Sequence, residues 1–296
     1  MDAVSAPPGT GYATDVVNAM SVDVEDYYQV LNFQRKIDRS EWDRFESRVE
    51  QNTDAILQAF SDAAVKGTFF MLGCVAERHP ALVRRIVDGG HELASHGWSH
   101  APLTSLTEEA ARDEMVRSKA LLEDLGGVEV LGFRAPSFSI IKGTSWALDA
   151  LLEAGYRYDS SVFPVRHPDY GVPDAEEGIH HLRAPSGRTM VEFPMTVARF
   201  FGRPVPVAGG GYFRLLPYGV TRWGLRQVNR KGRPGVFYLH PWEVDPDQPD
   251  LRDRASRIGA FRHYTGLKRT AARLRLLLAD FRFTSLRDVL AARGFL

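Results

Sequence analysis

The feature that most constrains this chain is a pair of short uncharged runs, Thr68-Phe69-Phe70-Met71-Leu72 and Gly235-Val236-Phe237-Tyr238-Leu239, each preceded by a helix-type pattern. A half-exposed strand alternates apolar and polar residues. A continuous apolar run of this length fits a strand covered on both faces, as in parallel α/β folds. Between and around these runs the pattern repeats. A strand over Asn18–Val24 precedes a helix entered at Ser47-Arg48-Val49-Glu50, which reads as a capping box, with Val49, Ile56, Leu57, Phe60 and Ala64 on one face. Pro80 opens a helix with Leu82, Val83, Ile86 and Val87 inward, stopped by Gly89-Gly90, and His91–Ser95 follows as a strand. Leu106–Leu125 is helical, with Ala111, Met115, Leu122 and Leu125 inward, then Val128–Phe133 a strand, Ser145–Ala154 a helix, and Tyr156–Tyr158 a strand leading into Asp159.

Beyond Asp159 the pattern loosens. Residues 163–190 read as loops or short hairpins, Val191–Phe193 as a brief strand, and Gly209-Gly210-Gly211-Tyr212-Phe213 as an interruption. A helix over Val220–Asn229 and the 235–239 strand follow. Thr265–Arg293 reads as a basic amphipathic helix carrying Leu267, Leu274, Leu277, Leu278 and Phe281, with one short helix more. The expected division is a tail over 1–18, a βα-repeat domain over 19–245 and a basic helical extension over 246–296 on the same domain.

Charge and cysteine content exclude several classes. Of 296 residues, 37 are Lys or Arg and 37 are Asp or Glu, so overall charge gives no reason to expect nucleic acid. Arg252 to Arg293 is basic, with eleven Arg or Lys against three Asp. Cys74 is the single cysteine, which rules out an internal disulfide, and its apolar surroundings suggest an inert thiol. The start lacks a basic stretch followed by an apolar core, and no apolar run approaches the ~20 residues of a membrane span. A soluble cytoplasmic protein is the default expectation.

In repeated βα units, functional side chains gather at the carboxyl ends of the strands, which open onto one face. Those ends here carry Asp23-Val24-Glu25-Asp26, His96 with His100, Arg134, Asp159 and His240. Two imidazoles four residues apart and one or two carboxylates make a hard-to-borderline divalent site with open positions. Strand alternation puts Asp23 and Glu25 on one face, while a turn would present Asp26, so either Glu25 or Asp26 completes the set. His91-Glu92 stands one residue out of register with His96 for HExxH, and Gly89-Gly90 argues against the helix such a motif needs.

In this order, Asp23-Val24-Glu25-Asp26, His96-Gly97-Trp98-Ser99-His100, Arg134-Ala135-Pro136, Asp159-Ser160-Ser161 and Leu239-His240 resemble the five motifs of the polysaccharide deacetylase family, the metal-dependent carbohydrate de-N-acetylases. Gly209-Gly210-Gly211-Tyr212-Phe213-Arg214, His240-Pro241-Trp242-Glu243 and Phe261-Arg262-His263-Tyr264 look like the branch encoded with exosortase and exopolysaccharide genes. That branch is itself similar to peptidoglycan deacetylases and metal-free allantoinases.

The resemblance implies a distorted (β/α)7 barrel. It also implies a metal, zinc first and cobalt, nickel or iron as substitutes, held by an acidic residue, His96 and His100. Asp23 would be the general base, oriented by Arg134, with a backbone N–H near Ser137 facing the oxyanion. His240 would be the general acid, with Asp159 tuning it. Pro136, Ser137 and Phe138, with Trp98, Tyr212 and Trp242, would form the sugar pocket. The expected substrate is an N-acetylated exopolysaccharide or its precursor, with peptidoglycan or a cyclic ureide or imide as alternatives. The basic tail is either a solvated face or one that attracts a lipid-linked glycan or a membrane surface. Self-association stays open.

Overall fold

The computed structural model describes residues 15–34, 36–167 and 170–296. The expected N-terminal tail falls mostly outside the described residues. The strands are β1 (Val17–Val24), β2 (Thr68–Met71), β3 (Glu92–Ser95), β4 (Gly132–Phe133), β5 (Tyr158–Asp159), β6 (His180–Arg183), β7 (Thr189–Glu192), β8 (Val197–Phe200), β9 (Arg203–Pro206), β10 (Val236–Leu239) and β11 (Arg282–Thr284). The helices are α1 (Leu31–Gln34), α2 (Val49–Asp62), α3 (Gly73–Arg78), α4 (Pro80–Asp88), α5 (Glu108–Gly126), α6 (Ala147–Glu153), α7 (Gly210–Leu215), α8 (Tyr218–Asn229), α9 (Arg257–Tyr264), α10 (Leu267–Asp280) and α11 (Leu286–Ala292).

One sheet runs in the order β10-β1-β2-β3-β4-β5-β7-β6, and all its pairs are parallel except the β6–β7 hairpin. The outer strands do not meet as a ladder. Thr196 and Ala208 bridge the gap instead, with Val236 N donating to Thr196 Oγ1 at 2.6 Å and Tyr238 N to the Ala208 carbonyl at 3.0 Å. This is a distorted α/β barrel, the fold that the family resemblance implies. The both-faces-covered expectation holds for β2, every residue of which is buried.

The C-terminal extension is part of this sheet. β11 pairs with Val17–Ala19 of β1, and α10 buries Leu267, Leu274, Leu277 and Leu278. A buried carboxylate ties this end together. Glu92 of β3 accepts from Thr68 Oγ1 at 2.5 Å, Tyr158 Oη at 2.8 Å and the Arg287 backbone N–H at 3.0 Å. Three donors converge on one side chain, linking β2, β5 and α11.

Several local expectations are corrected. Ser47 does not cap α2: its hydroxyl donates to Asp26 Oδ2 at 2.6 Å, and the Arg48 N–H at the helix start also donates to Asp26. A carboxylate from the end of β1 outcompetes the local hydroxyl, because a charged acceptor binds helix-start N–H groups more strongly. The Gly209–Phe213 interruption is the entry to helix α7. The short α3, the β8–β9 hairpin and β11 carry too few residues to leave a periodic signal.

Glu92→Ala should strand three buried donors, so we expect a loss of at least about 2 kcal/mol. A lowered midpoint of urea unfolding at unchanged m-value would show it.

Candidate active site

Strand geometry puts the site at the carboxyl ends of β1, β3, β4 and β10, and a cavity there is lined by Asp23, Glu25, His96, His100, Ser137 and His240, among others. Arg134 follows β4 and is 0% exposed. Its Nη1 donates to Asp23 Oδ1 at 2.5 Å and Ser21 Oγ at 2.9 Å, and its Nε to the Ser160 carbonyl at 3.0 Å. The guanidinium lies 4.0 Å from the centre of the Phe70 ring. Asp23 is thereby fixed through one oxygen, and its other oxygen turns toward His240, 3.9 Å from Nε2.

Glu25, His96 and His100 bring ligand-type atoms within 4.8 Å of one another, and all three residues are buried. Glu25 Oε2 lies 2.6 Å from His100 Nε2 in a contact misaligned for a hydrogen bond, so that oxygen is a buried acceptor with no donor. Burial alone would raise the Glu25 carboxyl, but the His100 and His240 imidazoles outweigh it and bring it down to about 2. Burial pushes His96 down to about 4. Its Nδ1 faces the Arg134 carbonyl at 2.8 Å. A carbonyl only accepts, so Nδ1 carries the proton and Nε2 keeps its lone pair. A buried carboxylate with an unpartnered oxygen, the free Nε2 of His96 and the imidazole of His100, all within reach of one point, fit a divalent cation.

Asp26 does not join this cluster. Its carboxylate is spent on Ser47 and the start of α2. β1 ends at Val24, and the turn that follows, with Glu25 N donating to the Asp23 carbonyl at 3.1 Å, leaves Asp23 and Glu25 on the cavity and Asp26 against the helix.

Asp159 is also placed differently from the expectation. It stands in register with Glu192 across β5–β7, and its Oδ1 accepts from Ser161 Oγ at 2.6 Å. Burial raises both carboxyls of this pair, and the facing Asp159 carboxylate adds to the rise at Glu192. The group facing His240 is Glu243, whose Oε1 lies 3.4 Å from His240 Nδ1 and 3.4 Å from Arg214 Nε. Burial lowers His240, but the carboxylates of Glu25, Glu243 and Asp23 together lift it to about 9.

Gly210 makes room for this array, since a Cβ there would lie 1.6 Å from Glu243 Oε2. Neither the glycines nor the His-Pro-Trp-Glu run carries a sequence signal for this role. Gln34 carries none for its own: its amide nitrogen lies 2.7 Å from His100 Nδ1 and donates to the His100 carbonyl at 2.8 Å. His100 is held there in the left-handed region, at φ 54°.

Of the expected sugar-pocket residues, Ser137, Phe138, Tyr212 and Trp242 line the cavity. Ser137 and Phe138 both have positive φ, 55° and 54°, a strained bend for non-glycine residues at a cavity wall. Trp242 is buried and stacked between His240 and His263, and its indole N–H donates to Glu25 at 3.4 Å, so its faces are closed to a sugar. Trp98 packs over Gly73 and under the Arg117 guanidinium, and Pro136 packs beside Gly97, so neither lines the cavity. Cys74 is raised to about 12 by burial, in keeping with an inert thiol.

Residues 39–158 match the polysaccharide deacetylase family. Residues 160–291 match a domain of unknown function, DUF3473. The boundary between the two matches runs through the sheet itself, immediately after β5. The chain is 33% identical over 98 residues to a peptidoglycan-N-acetylglucosamine deacetylase of Bacillus cereus, covering 33% of this chain and 36% of that protein. It is 30% identical over 115 residues to a peptidoglycan deacetylase of Helicobacter pylori, covering 39% and 37%. The matched region thus spans little more than a third of those relatives.

Among solved structures, a polysaccharide deacetylase candidate from Mycobacterium smegmatis aligns with TM-score 0.56 at 24% identity, over 94% of this chain and 96% of that one. An allantoinase aligns with TM-score 0.60 at 15% identity, over 99% and 96%. At these identities the two structures establish the shared barrel fold.

The division of labour between Glu25 and Asp26 predicts opposite phenotypes. Glu25→Gln should weaken zinc binding at least about tenfold in calorimetric titration. Asp26→Ala should leave zinc affinity within about threefold and instead cost about 1–2 kcal/mol of stability through the lost helix cap.

Proposed function

We propose that this protein is a divalent-metal-dependent hydrolase that removes N-acetyl groups from an amino sugar of a polysaccharide or its precursor. The observation that carries this reading is the buried Glu25–His96–His100 cluster beside an arginine-fixed carboxylate and an imidazole backed by a second carboxylate. The match of residues 39–158 supports it, because His96, His100 and Arg134 fall inside it.

A metal held by Glu25, His96 and His100 would supply Lewis acidity toward the acetamide carbonyl and toward water. Asp23, with one oxygen bound by Arg134, takes the proton of the attacking water through its other oxygen. The backbone at Ser137 offers an N–H to the tetrahedral oxyanion. His240, with Nδ1 toward Glu243, delivers a proton to the departing nitrogen as the C–N bond breaks. Water and amide thus become acetate and a free amine. Exopolysaccharide is the substrate we favour; peptidoglycan offers the same acetamide.

Acetate release from N-acetylglucosamine oligomers tests this. It should disappear on chelation and return with zinc or cobalt. Asp23→Asn should cost at least about 100-fold in kcat. Glu243→Gln should lower kcat by about 10–100-fold with KM little changed. Activity that survives chelation and Asp23→Asn would overturn the mechanism. Turnover of allantoin in place of the oligomers would favour ureide ring opening on the same barrel.

A further inference from the structure

The β8–β9 hairpin forms a two-stranded sheet of its own, outside the barrel. Its two-residue loop is Phe201-Gly202, both at positive φ, 47° and 76°, as in a type I′ turn. The first loop position of such a turn favours Asn, Asp or Gly, and a phenylalanine there is strained. Phe201 is also 91% exposed. Phe200 beside it is 56% exposed and Trp223 of α8 is 39% exposed, with ring centroids 4.6 Å and 6.2 Å from Phe200 to the two neighbours. The sequence therefore keeps a bulky apolar side chain where backbone conformation and water both disfavour it.

The stretch of chain that carries this tip is basic. Residues 193–242 contain eight Arg or Lys and no Asp or Glu. Arg203 stands across the hairpin from Phe200, Arg226 follows Trp223 by three residues on α8, and Arg230 caps that helix. Gln227 fastens hairpin to helix, accepting from Arg199 N at 2.6 Å and donating to the Arg199 carbonyl at 2.9 Å. Arg199 and Arg233 pair with Glu177, and Arg222 with Asp280, but Arg203, Arg226, Arg230 and Lys231 have no ion pair among the described residues.

We infer that this hairpin and the exposed face of α8 form a membrane-docking surface for an anionic lipid bilayer. The two phenylalanines and Trp223 enter the headgroup region, and the unpaired arginines meet lipid phosphates. A convex aromatic tip suits an apolar layer that closes around it. A soluble polyanion would engage the arginines alone. The surface adjoins the basic helix α10 through the Arg222–Asp280 pair, but the apolar stripe of α10 is buried on the barrel and is not part of the docking face.

The test is co-sedimentation of the full chain with vesicles of phosphatidylglycerol and phosphatidylcholine in low salt. Wild type should sediment with the mixed vesicles and at least tenfold less with phosphatidylcholine alone. The double variant F200S/F201N, whose Asn suits the turn, should lose binding at least tenfold while keeping its circular dichroism and thermal midpoint. R203E/R230E should lose the preference for the anionic lipid. Failure of wild type to bind, or full binding by F200S/F201N, would overturn the proposal. So would equal binding of soluble polygalacturonate through the same two phenylalanines.

Discussion

The buried guanidinium of Arg134 is the constraint on which the rest of this structure depends. A charge with 0% exposure is tolerated only if every donor has a partner, and those partners come from β1, from the turn after β5 and from the Phe70 ring on β2. Satisfying it fixes the carboxylate of Asp23, and the Arg134 backbone carbonyl fixes the tautomer of His96. One residue thus sets the orientation of two groups on different strands.

The second half of the chain completes what the first begins. β10 brings His240 beside Glu25, the turn after it brings Glu243, and α7 brings Arg214. Arg214 also donates to the carbonyls of Arg262, His263 and Thr265, at 2.9, 2.7 and 2.8 Å. The region matching a domain of unknown function therefore supplies His240, Glu243 and Arg214 to the wall of the cavity. Sheet pairing runs the same way, because β10 and β11 both pair with β1.

The sequence made legible what depends on period and on strand ends. Alternation read through the end of β1 put Asp23 and Glu25 on one side, and the end of β3 delivered His96 with His100. Position at the carboxyl end of a strand singled out Arg134 and His240. What stayed hidden depends on pairings between distant segments. Asp159 looked free to tune His240 until β7 came to lie beside β5 and set Glu192 opposite it. Asp26 stands beside Glu25 as an alternative ligand in the sequence, and only the packing of α2 against it sets it apart. Glu243, Arg214 and Gln34 sit on turns or short helices, where no periodic signal marks a residue as facing a cavity. Trp98 and Trp242 show that aromatic character alone does not tell a sugar platform from a core wall, because both have their faces covered by neighbouring side chains.

If the segments at the ends of β1 and β3 build one cation site beside the arginine-fixed carboxylate, zinc should bind there. Anomalous diffraction at the zinc edge, from crystals of the full chain grown with zinc, tests it most directly. The account predicts a single strong peak within bonding distance of Glu25, His96 and His100, next to Asp23. A peak centred on Asp26, or no peak at this cluster, would contradict it.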